Sequence, residues 1–119
     1  MGRHLTLTEP SDLFRAFADP TRLRVLSLLL DKELCVCDLC EVLEEIQPKI
    51  SRHLAYLRRA GLITSRQDGR WIHYRITTTP TPIQKALLRC VGSCLRDFDI
   101  LRHDLAELKA LPRRDRRCA

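Results

Sequence analysis

Residues 47–76 read QPKISRHLAYLRRAGLITSRQDGRWIHYRI, and the hydrophobic period changes once inside them. Pro48 suits the first turn of a helix, and Ile50, Leu54 and Leu57 follow at helical spacing up to Ala60-Gly61, where glycine supplies a C-terminal cap. Beyond Gly61 the period becomes two: Leu62 to Arg66, then Asp68-Gly69, then Arg70 to Ile76. That pattern predicts two short strands joined by a type I′ turn, a small β wing following a helix.

Upstream, Glu44 to Gln47 reads as a turn, preceded by a short helix over Val36 to Leu43 and a brief extended segment over Glu33 to Cys35. Asp19-Pro20-Thr21 opens an earlier helix, since Asp caps orphan N–H groups and Pro fits the first helical position. Its inner stripe is Leu23, Leu26 and Leu30, joined by Val25 and Leu29. Ser11 to Ala18 reads as a first short helix, with Ser11 as N-cap and Leu13, Phe14 and Phe17 on one face. Two helices across a tight turn, followed by a hairpin, predict a winged helix-turn-helix, mainly α, whose second helix enters the major groove of DNA.

Charge supports that reading. The chain of 119 residues carries 21 Lys and Arg against 15 Asp and Glu, a net charge of +6. Between Gln47 and Arg75 there are seven cations (Lys49, Arg52, Arg58, Arg59, Arg66, Arg70 and Arg75) and one acid, Asp68, so this quarter holds as much net charge as the whole. Lys49, Arg52, His53, Tyr56 and Arg59 are expected on the helix face opposite Ile50, Leu54 and Leu57, a basic, hydrogen-bonding surface suited to a polyanion.

A length of 119 residues is that of one domain, and 45% hydrophobic with only 5% aromatic residues predicts an aliphatic core of packed helices. No stretch approaches the roughly 20 apolar residues of a membrane span, and the N-terminal MGRHLTLTEPSDLF has no apolar signal core, so the expectation is a cytoplasmic protein without a membrane partner. Thr81-Pro82 opens a last helix running to about residue 111. In it Leu87, Val91, Cys94, Phe98, Leu101, Leu105 and Leu108 are spaced alternately four and three, a heptad seam that predicts a homodimer through terminal helices. Residues 11–76 then form the DNA-binding core and wing, 81–111 the dimerisation helix and 112–119 a basic tail.

Six cysteines in a reducing compartment favour metal or metalloid binding over disulfides. Cys35, Cys37 and Cys40 form C-x-C-x2-C at the start of the first motif helix, with Cys37 and Cys40 on one helical face. A helix N-terminus favours thiolate, while Asp31, Glu33, Asp38, Glu41, Glu44 and Glu45 oppose it. Three soft ligands without a fourth suit As(III) or Sb(III), whereas zinc normally takes four. Cys90 and Cys94, at i and i+4 on the last helix, read as small interface hydrophobes, with an auxiliary inducer site or a redox pair as the other readings. Cys118 follows the basic run RRDRR and has no evident partner. Cys90 to Arg96 also fits C-x5-R, the pattern of thiol phosphatases and some arsenate reductases, but lacks the leading strand that such an anion loop requires.

Three stretches, AFADPTRLRVL (16–26), ELCVCDLCEVL (33–43) and residues 47–76, resemble the ArsR/SmtB family of bacterial metal-responsive repressors, and ELCVCDLC looks like its arsenite-responsive branch. The resemblance covers roughly residues 11–76. It implies a homodimer on an inverted-repeat operator, with Ser51, Arg52, His53 and Tyr56 at the groove, Gln47 and Lys49 near phosphates and Arg70 on the wing. It also implies that Cys35, Cys37 and Cys40 hold the inducer. A Cd/Zn-responsive or thiol-redox repressor of the same fold is the alternative; the zinc and cadmium branches look different, since the last helix offers only His103 and no cysteine precedes Cys35.

Overall fold

The computed structural model describes residues 6–112, and among these the chain forms six helices and three strands. In chain order they are α1 (Thr8–Phe17), α2 (Pro20–Asp31), β1 (Leu34–Cys35), α3 (Val36–Leu43), α4 (Gln47–Arg59), β2 (Ile63–Asp68), β3 (Trp71–Ile76), α5 (Pro82–Ser93) and α6 (Asp99–Ala110). The basic tail from residue 113 onward, with Cys118, lies outside the described residues. No helix among them is long and apolar enough to cross a membrane.

Local chemistry sets most boundaries. Asp19 is extended, its carboxylate accepts the Arg22 amide at 3.0 Å, and Pro20 occupies the first helical position. α1 begins at Thr8 rather than at a Ser11 cap, because Pro10 falls in the first turn, where a missing N–H leaves no bond unmade. α3 ends at Glu44, which adopts the left-handed region at φ 55°. The amides of Glu44 and Glu45 both close on the Cys40 carbonyl, so that residue's peptide anchors the turn into α4.

α2 is the central element, and Val25, Leu26, Ser27, Leu28 and Leu29 are buried in succession. The expected one-sided stripe is therefore replaced: Leu23 is half-buried and Leu30 exposed, because α1, α4, α5 and α6 surround this helix. In α1, Leu13 and Ala16 face inward while Phe14 points to solvent. Ile50, Leu54 and Leu57 of α4 are all buried as their spacing predicts.

The sheet has the order β1-β3-β2 and is antiparallel throughout. Leu34 pairs with Tyr74 and Cys35 with His73, so the segment carrying the first cysteine is part of the wing. Asp68 pairs with Trp71, leaving Gly69-Arg70 as the two-residue loop. Gly69 has φ +67° and Arg70 does not share the positive sign, which corrects the expected type I′ turn at Asp68-Gly69 to a type II′ pattern.

The expected single helix over 81–111 is two. α5 ends at Ser93, residues 94–98 form a turn, and α6 starts at Asp99. A straight helix of that length would extend about 45 Å, whereas the break lets Leu88 and Val91 of α5 and Leu105 and Leu108 of α6 enter the same core. Most of the heptad seam is thus consumed within the chain: Val91, Leu101, Leu105 and Leu108 are buried, Leu87 is half-buried, and Cys94 and Phe98 remain exposed. A capping box between Thr81 and Gln84 starts α5, and the Gln84 amide nitrogen donates to the Ala60 carbonyl at 3.1 Å, tying α5 to the end of α4.

Candidate nucleic-acid interface and cysteine site

The exposed surface of α4 is formed by Gln47, Ser51, Arg52, Arg58 and Arg59, and Arg70 is exposed at the wing tip. These side chains carry positive charge and hydrogen-bonding groups on a helix of the diameter that a major groove admits. Two other cations of the basic stretch are held by acids of the chain itself. Lys49 pairs with Glu45 at 2.9 Å, and Arg66 makes a two-pronged contact with Glu33 at 2.9 and 2.8 Å, clamping β2 to the segment before β1.

His53 and Tyr56, expected on the open face, are half-buried on the side of α4 that meets α2. The Arg22 guanidinium lies 3.9 Å from the Tyr56 ring centroid, donates to the carbonyls of Ala16 and Arg15 at 2.8 and 2.9 Å, and stands 3.5 Å from His53 Nδ1. Asp19 Oδ2 is 3.8 Å from the same ring nitrogen. Burial holds His53 below the ordinary histidine value, the carboxylate of Asp19 opposes this, and Arg22, Arg52 and Lys49 reinforce it. Arg22, inside ADPTRLRVL and not among the expected site residues, thus joins the end of α1 to α4.

Cys35 ends β1 and is 7% exposed, while Cys37 and Cys40 are half-buried on α3. Burial pushes the Cys40 thiol up, and the neighbouring Cys37 sulfur pushes it further. The structure therefore brings Cys37 and Cys40 together as free thiols, whereas Cys35 stays in the sheet and is disulfide-bonded, which corrects the expectation of three free thiols side by side. Among the described residues no three His, Cys, Asp or Glu side chains are gathered around a common point able to hold a metal ion. Cys37 and Cys40 do line an open cleft of about 720 Å³, walled otherwise by Gln47 and Ser51 of α4 and by Arg70, Trp71 and Tyr74 of the wing.

Cys90 and Cys94 are exposed one turn apart at the end of α5. The Cys90 thiol is pushed up by desolvation and by the Cys94 sulfur beside it. The Cys94 and Leu95 amides both donate to the Cys90 carbonyl, so the C-x5-R stretch is a helix end whose N–H groups are satisfied internally rather than an anion loop.

Residues 19–65 match the family described as bacterial regulatory protein, arsR family. The arsenical resistance operon repressor of Escherichia coli (strain K12) is 55% identical over 69 residues, which are 57% of this chain and 59% of that protein, so the likeness spans less than two thirds of its length. The arsenic resistance transcriptional regulator ArsR1 of Pseudomonas putida (strain KT2440) is 39% identical over 123 aligned positions, covering 99% of this chain and 94% of that protein. Among solved structures, reduced HlyU from Vibrio cholerae N16961 superimposes with a TM-score of 0.64 at 34% identity, over 72% of this chain and 87% of that one.

Proposed function

Because the chain belongs to the arsR family of bacterial regulatory proteins, we propose that it is a cytoplasmic transcriptional repressor. It binds an inverted-repeat operator as a homodimer, and capture of As(III) or Sb(III) by Cys35, Cys37 and Cys40 abolishes that binding. α4 reads the major groove through Ser51 and Arg52, Gln47 and Arg59 meet the backbone, and Arg70 contacts it from the wing. Lys49, His53 and Tyr56 act closer to the protein body, holding the helix at its angle. Self-association uses apolar side chains left exposed on α1, at the start of α5 and in the α5–α6 turn, among them Phe14, Ile83 and Phe98.

The observation that carries this reading is the direct connection of the cysteines to both DNA-reading elements. Cys40 supplies the carbonyl on which the turn into α4 closes, and Cys35 is registered opposite His73 in the wing strand. The donor set fits the inducer once the disulfide at Cys35 is reduced: three thiolates match a trivalent pnictogen better than zinc, which normally takes four ligands. The sulfurs are not gathered beforehand. For all three to share one atom, Cys35 has to leave its place in β1 or α3 has to shift at its first turn, and either movement alters the wing or the α3–α4 turn. Releasing operator about 100-fold requires about 2.7 kcal/mol of differential affinity, and operator must weaken inducer binding by the same factor.

A gel shift on the DNA upstream of the protein's own gene, with As(III), Sb(III), Cd(II) and Zn(II) titrated separately against reduced protein, tests the reading. Release by As(III) or Sb(III) alone supports it, and release only by Cd(II) or Zn(II) replaces the inducer. The Cys90→Ser, Cys94→Ser double variant separates an auxiliary metalloid site, which would lose release, from a packing role, which would keep it.

A further inference from the structure

The cleft beside α3 is bounded by surfaces that belong to different tasks. Cys37 and Cys40, two of the three cysteines assigned to the inducer, line it half-buried, whereas Gln47 and Ser51 of α4 and Arg70 at the wing tip line it while exposed and so form its rim. Cys35 is not among the lining residues and is nearly closed to solvent. The reachable sulfurs are therefore approached between the recognition helix and the wing. At about 720 Å³ the space far exceeds trihydroxyarsine, a neutral molecule of four heavy atoms; a water molecule's share of liquid is about 30 Å³ by comparison. Access is limited by what lies across the rim.

We propose that this cleft is the access route of the trivalent metalloid and that bound operator lies across its mouth, so that free repressor, not the DNA complex, takes up inducer. The proposal rests on the repressor reading above. A recognition helix enters the groove with its N-terminal end, which here carries the rim residues Gln47, at the backbone, and Ser51, at the bases, and the wing carries Arg70 to the same duplex. DNA touching both sides of the rim spans the opening between them. Cys37 and Cys40 are then the first two ligands, and Cys35, disulfide-bonded here, becomes the third once a cellular thiol has reduced it by exchange, that thiol being oxidised to a disulfide. Each thiol forms one S–As bond as one As–OH bond breaks, and its proton leaves with that hydroxide as water, without any change of oxidation state. Induction would proceed through repressor molecules that have already dissociated, with captured inducer preventing their return.

The four thiols Cys37, Cys40, Cys90 and Cys94 allow a test with an internal control, because Cys90 and Cys94 are exposed on α5 and line no part of the cleft. Fully reduced full-length protein is treated with N-ethylmaleimide, alone and with saturating upstream DNA, and modification of each cysteine is followed by peptide mass. If only unbound protein reacts, leaving about 1% unbound slows Cys37 and Cys40 about 100-fold, while Cys90 and Cys94 keep their rates. Trp71→Ala, which widens the mouth, should raise Cys37 and Cys40 reactivity within the complex; a complex that protected them only by stiffening α3 would not respond. Unchanged Cys37 and Cys40 rates in a DNA complex shown intact by gel shift overturn the proposal, and so does equal slowing of all four thiols. Failure to form any complex in the gel shift is a separate result: it removes the repressor reading itself, and this proposal with it.

Discussion

Arg24 on α2 holds Asp104 on α6 through two hydrogen bonds of 2.8 Å each, and the Asp104 carboxylate is wholly buried. The side-chain hydrogen bond raises the Arg24 pKa above its ordinary value although burial opposes it. This pair fixes α6 against the central helix. Removing Arg24 leaves the buried Asp104 carboxylate uncompensated in the interior, so Arg24→Ala should cost about 3–5 kcal/mol in urea unfolding. Leu105→Glu should likewise unfold the chain rather than merely separate subunits, since Leu105 belongs to its own core.

Glu44 stands in the left-handed region, where a side chain is strained and glycine is not. Glu44→Gly should raise the unfolding midpoint, by about 1 kcal/mol, with an unchanged denaturant slope.

His53 provides a pH dependence. Its folded pKa is lowered, chiefly by burial, so the unfolded chain binds the proton more readily. Stability should therefore be fully present above the ordinary value of about 6.5 and fall as pH drops below it. His53→Gln should flatten that decline in unfolding measurements between neutral and mildly acidic pH.

What was legible in the sequence was local. The Asp19 cap, the limits of α3, the Gly61 stop and the alternation of the wing each depend on a few adjacent residues. The break at 94–98 was hidden because Val91, Cys94, Phe98 and Leu101 keep heptad spacing across a turn that is not helical. Spacing reports which side chains share a stripe, not whether the axis continues. The half-burial of His53 and Tyr56 was equally hidden, because it arises from Arg22, 31 and 34 positions away. The cleft was not legible either: it joins α3, α4 and the wing, which meet only in the folded chain.

The cations divide by role. Arg52→Ala and Arg70→Ala should each weaken operator binding, and Arg70→Ala should reduce the slope of log affinity against log salt by about 1, as expected for a lost phosphate contact. Arg66→Ala, which releases Glu33, should loosen the wing in amide hydrogen exchange and leave that slope nearly unchanged.

Cys37 lies both in the proposed inducer site and in the cleft that leads to it. Fluorescence anisotropy of labelled upstream DNA, titrated with As(III) in the presence of reduced parent protein or Cys37→Ser, reads its role directly. The parent should dissociate with about a 100-fold loss of affinity, and Cys37→Ser should bind DNA equally well and stay bound at the same As(III) concentration. Release of Cys37→Ser at the parent's As(III) concentration would contradict the account.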